Sequence, residues 1–185
     1  MWWRRYRRGT ALLKRFGKAQ GGVTAIEFAF VGGPFLYLLC VVFETGLMLF
    51  SEYVIENGVA NAARMIRTGQ VQTQSMSAGG FKDVVCGSLA SYLNCSSNLY
   101  LDVRKFTAFS DITLPPAIKN GDISPDVSAN ASFQPGGPMD VVVVRAYYTW
   151  TLFLPGLDHL ANISGNRRLL TAGAAFRNEP YSPTS

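Results

Sequence analysis

Histidine is nearly absent from this chain: His159 is the one instance in 185 residues, and it stands in a polar loop beside Asp158. Metal binding and imidazole-based acid–base catalysis therefore have almost no side chains to work with. The three cysteines form no Cys-x-x-Cys pair, which removes the thiol-redox and zinc-knuckle readings. A P-loop, a Gly-rich dinucleotide loop and a nucleophile elbow are missing too. No catalytic residue, metal ligand or cofactor site is expected, and the chain does not read as an enzyme.

Acidic residues are missing from one place in particular. Residues 1–20 carry seven basic side chains (Arg4, Arg5, Arg7, Arg8, Lys14, Arg15, Lys18) and no acid. The remaining ten basic and all twelve acidic residues lie beyond, which leaves that part with a net charge of −2. The overall pI near 9.3 thus belongs to a leader, not to a basic fold, and nucleic-acid binding is not expected. Trp2, Trp3 and Tyr6 interleave with the arginines in a way that suits an anionic lipid surface.

Charge is scarce again from Gly21 to Phe50. Phe28 to Phe43 contains no charged residue, and Thr45 to Phe50 prolongs the apolar run past Glu44. A hydrocarbon core of about 30 Å needs roughly 20 apolar residues, so this stretch is long enough to span. A secretory signal fits poorly, because its small-residue cleavage site would follow a shorter apolar core and here the glycines come first. Pro34, behind Gly32 and Gly33, is expected to kink the helix. Basic residues flanking a first span stay on the cytoplasmic side, which puts the C-terminal part outside. Glu44, late in the span, has two readings: a contact with a basic or polar group on a partner helix, or an interfacial carboxylate with no partner.

Glu27 near the start is costlier, at a few kcal/mol unless it is paired, protonated or near the interface. Cleavage after Gly22 would create a cationic amine at Val23, four residues before it. The block Gly22-Val23-Thr24-Ala25-Ile26-Glu27-Phe28 resembles the prepilin-peptidase site of type IV pilin-like proteins. With the surrounding RRFGKAQGGVTAIEFAFV it resembles the TadE-like pseudopilins, or minor pilins, of the tight-adherence (Flp pilus) system. The resemblance implies cleavage between Gly22 and Val23 by a prepilin peptidase. It implies pairing of Glu27 with a neighbour's Val23 amine, and lateral packing of the helix with other pilin-like subunits and inner-membrane pilus assembly proteins. It further implies a part in pilus assembly, adherence and secretion. The location would be a bacterial inner membrane, single-pass, with a periplasmic C-terminal domain and possible entry into the pilus.

Four regions follow: a cytoplasmic leader, residues 1–22; a transmembrane helix continuing as an amphipathic one, 23–68; a polar linker, 69–80; and an extracytoplasmic domain, 81–185. In the second, Ile55, Val59, Ala62, Ala63 and Ile66 recur at helical spacing. Phe81, Val84, Val85, Leu89 and Leu93 predict a short amphipathic helix. Alternation over Leu99 to Phe109 predicts a strand whose phase breaks at Phe106. Ser110 to Pro138, with five prolines, reads as a long surface loop suited to binding a partner. Asp140 to Leu154 is the clearest strand, with Val142, Val144, Ala146, Tyr148, Trp150 and Leu152 on one face opposite Arg145, Thr149 and Thr151. A Pro155-Gly156 turn precedes a further strand over Arg168 to Phe176.

The fold class is α+β: a long N-terminal helix and a small antiparallel sheet, pilin-like in outline. Cys40 lies in the span as an apolar packing residue. Cys86 and Cys95 fall outside, where an oxidising compartment favours a structural disulfide. Asn94, Asn130 and Asn162 begin Asn-x-Ser matches, but a bacterial family makes glycosylation an unsuitable reading. The ending Arg177-Asn178-Glu179-Pro180-Tyr181 is similar to endings in the same family. Two other classes stay open. One is an uncleaved single-pass scaffold whose outer domain binds a partner; the other is an anchored periplasmic hydrolase, which lacks a visible catalytic constellation.

Overall fold

The computed structural model describes residues 22–89, 91–129 and 131–182. The leader before Gly22 and Asn130 of the second Asn-x-Ser match lie outside the described residues. The chain divides into two compact units, 1–42 and 43–185, with the boundary inside the first helix.

That helix, α1, runs from Val23 to Arg67 and is uninterrupted through Pro34. Its part in the first unit is lined by exposed apolar side chains, including Phe28, Phe30, Phe35 and Leu38. Among the described residues it is the one helix long and apolar enough to cross a membrane, and its most apolar stretch is unburied.

In the second unit the same helix becomes one-sided. Glu44, Met48, Ser51, Ile55, Val59, Ala62 and Ile66 are buried, at steps of three and four that keep them on one face. Gly58 lies on this stripe, and a Cβ there would come within 3.3 Å of Leu89 and 3.6 Å of the Val85 carbonyl. It is therefore a point of close approach rather than merely a weak helix former.

Gly69 (φ +78°) ends α1, and a one-turn helix, α2 (Gln70–Thr73), follows directly with Val71 buried. The stretch expected as a linker over 69–80 is thus packed, because it contains an apolar side chain that the core takes up. The next helix, α3 (Ala78–Gly87), begins earlier than its apolar spacing predicts; the Ser77 hydroxyl accepts the Gly80 N–H and caps it. Phe81 and Val85 face inward. A further single turn, α4 (Cys95–Asn98), leads into the sheet.

Three antiparallel strands make the main sheet: β1 (Leu99–Phe106), β4 (Val141–Thr151) and β5 (Arg167–Arg177), with β4 in the middle. Leu99 stands opposite Tyr148 and Phe106 opposite Val141, while Val141 also stands opposite Arg177 and Thr151 opposite Arg167. β1 ends at Phe106, where the alternation breaks in the sequence. The α+β architecture, a long helix and a small antiparallel sheet, is as the residue pattern predicts.

The segment from 110 to 138 is more than a surface loop. It carries a two-stranded hairpin, β2 (Ile118–Lys119) with β3 (Asp122–Ile123), and a helical turn, α5 (Pro125–Ser128). Val127 packs with Tyr147, Ile163 and Leu169 on one face of the sheet, with Ile118 and Ile123 beside them. Farther on, the Val103 N–H donates to the Ser132 carbonyl and the Gln134 N–H to the Val103 carbonyl. The segment thus covers one face of the sheet and pairs with the free edge of β1. Its proline and glycine content disguised this role, since irregular backbone carries no periodic signal. β4 is consequently buried on both faces, with Arg145 and Thr151 the exceptions.

Candidate assembly segment and the Glu44 clasp

Gly22 lies immediately before the first residue of α1. Glu27 is exposed on the helix between exposed Ile26 and Phe28, and among the described residues it forms no ion pair. A carboxylate in the second turn of an apolar helix, next to an N-terminus that cleavage would make cationic, is suited to pairing between chains. Phe28 lies against Gly32, whose added Cβ would meet the ring at 3.5 Å. Cys40 is a free thiol exposed on the same helix.

Glu44 departs from both sequence readings. It is buried, and its two carboxylate oxygens accept consecutive backbone N–H groups, from Phe153 at 2.6 Å and from Leu154 at 3.0 Å. Its partner is neither another helix nor solvent but the loop after β4 of the same chain. Those two amides have left the sheet, since β4 ends at Thr151, and a carboxylate satisfies both at once. Two helical turns on, the buried Ser51 hydroxyl donates to the Leu47 carbonyl and shares a hydrogen bond with the Tyr92 hydroxyl at 3.1 Å.

Cys86 and Cys95 are joined, with their Cα atoms 5.7 Å apart. The bond ties the end of α3 to the start of α4 across a short irregular stretch. His159 falls in an exposed 3-10 turn (Asp158–Leu160).

The ending of the chain has a structural task. Asn178 is buried; its side-chain amide donates to the Pro135 and Gly137 carbonyls, and its own N–H donates to the Asp140 carbonyl. The Glu179 N–H reaches the Arg67 carbonyl at 2.9 Å, and its carboxylate pairs with the Arg67 guanidinium at 3.2 Å. Tyr181 then covers Gly69, where an added Cβ would lie 2.5 Å from the ring. The tail therefore closes over the C-terminal end of α1.

A second feature escapes the sequence altogether. Asp102 is fully buried in β1, directly opposite Arg145 of β4. Its carboxylate accepts from Arg145 at 2.6 Å, from the Arg104 Nε at 2.9 Å and from the Ser132 N–H at 3.0 Å. Arg145 also donates to the Pro115 carbonyl at 3.0 Å and lies 5.4 Å from the Tyr147 ring centre. The signal available in the sequence is a lone acid and a lone base in strands that pair. At the nearby hairpin, the Ile123 N–H holds the Asp122 carboxyl below its ordinary value, helped by the Ser164 hydroxyl and Arg167.

A helix compatible with a single-pass membrane anchor is thus continued into an α+β unit stapled by a disulfide. Residues 22–64 match the family model described as TadE-like protein. The matched segment begins at the glycine before α1 and ends within its last turn. No curated protein and no solved structure matches the chain.

Proposed function

We propose that the chain is a minor pilin or pseudopilin of the tight-adherence (Flp) pilus system. A prepilin peptidase cuts between Gly22 and Val23, and the mature helix then packs beside other pilin-like subunits. The observation that carries this reading is the family match beginning at Gly22, on a helix whose first turns present Glu27 among exposed apolar side chains. In the assembly, the Val23 amine of one subunit neutralises Glu27 of the next, offsetting a burial cost of a few kcal/mol. The leader stays cytoplasmic and the unit containing the sheet is periplasmic, in accord with the distribution of basic residues. The role is one of assembly, adherence and secretion rather than catalysis.

Intact mass of the protein isolated from membranes, with and without the peptidase, tests the cleavage. A chain beginning at Val23 only when the peptidase is present supports the proposal. A chain still beginning at Met1 overturns it and leaves a single-pass scaffold. Glu27→Ala tests the pairing separately: unchanged pilus assembly and unchanged association with partners would remove that role from Glu27.

A further inference from the structure

The Glu44 clasp fixes the height of one loop along α1. Phe153 and Leu154 are bonded to Glu44, whereas the exposed apolar residues of the helix continue through Leu47, Leu49, Phe50 and Tyr53. From Glu44 to Phe50 the helix rises about 9 Å, at about 1.5 Å per residue. The loop therefore hangs beside the apolar part of the helix, well short of the point where that apolar surface ends.

Its chemistry suits that position. Leu152-Phe153-Leu154-Pro155-Gly156-Leu157 contains no charged or polar side chain. Phe153 is the most exposed large apolar side chain of the second unit, at 76%, and its ring meets the edge of Trp150 with centres 6.1 Å apart. Within a bilayer the difficulty for a loop is its backbone, because each unsatisfied N–H costs several kcal/mol there. Glu44 takes up the two amides at the tip, and Pro155 has none. The same bonds disperse the charge of Glu44, which is otherwise costly at that depth. Loop and carboxylate solve each other's problem.

We propose that the loop around Phe153 is a second membrane contact, dipping into the outer leaflet interface of the bilayer that α1 crosses. The occupant of this surface is lipid, because Phe43 and Leu47, exposed apolar residues within one turn of Glu44, share the loop's level along the helix. The inference rests on α1 being a membrane span. It adds a second point of lipid contact, within the second unit, to the contact that the helix itself makes.

The test uses the full chain with Cys40→Ser, its disulfide intact, reconstituted as one chain per lipid nanodisc. Phe153→Cys, Leu38→Cys and Lys119→Cys are each spin-labelled, and collision rates with oxygen and with a water-soluble nickel chelate are measured. The label at 153 is expected to collide with nickel several-fold less often than the label at Lys119, and to remain open to oxygen as at Leu38. Adding Glu44→Ala is expected to bring the nickel rate at 153 towards that at Lys119. A label at 153 that is open to nickel while 38 is shielded overturns the loop proposal and leaves the span standing. Shielding from both reagents at 153 also overturns it, in favour of a protein contact. Nickel access at 38 overturns the span itself, and the loop proposal with it.

Discussion

At the scale of single residues, two carboxylates hold this chain together, and each does so by accepting donors from distant parts of it. Asp102 accepts from Arg145, Arg104 and the Ser132 N–H with no exposure to water. A buried ion pair is weak evidence of net stability, but removing one partner leaves an uncompensated charge. Asp102→Ala is therefore expected to destabilise the second unit by roughly 3–5 kcal/mol, read as a lowered denaturation midpoint; an unchanged midpoint would contradict the network. Glu44→Ala removes two charge-assisted bonds, and hydrogen bonds to charged groups contribute about 1.5–3 kcal/mol each. The expected outcome is faster amide exchange at Phe153 and Leu154, with the exchange of β4 left near its starting value. Neither role was legible beforehand, for the same reason. Alternation places Asp102 on the face opposite Leu101 and Val103, and only the covering segment from 110 to 138 makes that face an interior. Glu44 bonds to residues 109 and 110 positions away, beyond the reach of any local pattern. Yet Ile55, Val59, Ala62 and Ile66 are read from their spacing as a stripe, and continuing it backwards through Ser51 and Met48 arrives at Glu44.

Among the elements, α1 and the three strands of the main sheet were legible because their patterns are long and rich in apolar residues. From Glu44 to Ile66 the helix repeats one buried face, and Val142, Val144, Ala146, Tyr148 and Trp150 recur at every second position of β4. What was not legible is how the elements are fastened, since the fastenings are irregular. The tail is the clearest case. Asn178, Glu179 and Tyr181 fix the end of α1 through main-chain carbonyls and one aromatic ring over Gly69. Gly69 satisfies two demands at once, a left-handed backbone and a surface flush against Tyr181. Gly69→Ala is expected to cost at least 1–2 kcal/mol, roughly the left-handed backbone penalty for a residue with a Cβ, plus the clash with the ring. Pairing it with Tyr181→Ala should relieve the clash alone. A double variant no better than Gly69→Ala in thermal unfolding would show that the backbone penalty accounts for the whole loss.

For the molecule as a whole, the division at residues 42 and 43 separates two kinds of stability. The first unit has an apolar helix with its side chains exposed, so its environment, membrane or neighbouring subunits, must supply what folding does not. The second has a sheet, a buried helical stripe, two polar networks and a disulfide. Closing the short loop between Cys86 and Cys95 contributes roughly 2–3 kcal/mol in the chain-entropy account. Replacing both cysteines by serine is expected to lower the second unit's unfolding midpoint by an amount of that order. Adding reductant to the unaltered protein should produce the same shift, and none to the double variant. An identical response of both proteins to reductant would show that the bond does not carry this stability.

The position of β4 between β1 and β5 also sets a timetable. β1 precedes β4 in the chain, whereas β5 is made only after the intervening loop, and the tail that fastens Arg67 comes later still. A nascent chain therefore holds Val141–Thr151, its most strand-prone stretch, with one edge open until Arg167–Arg177 arrives. That interval is when the edge is exposed to other chains. The completion of the second unit thus waits on the strand made last, although the long helix was made first.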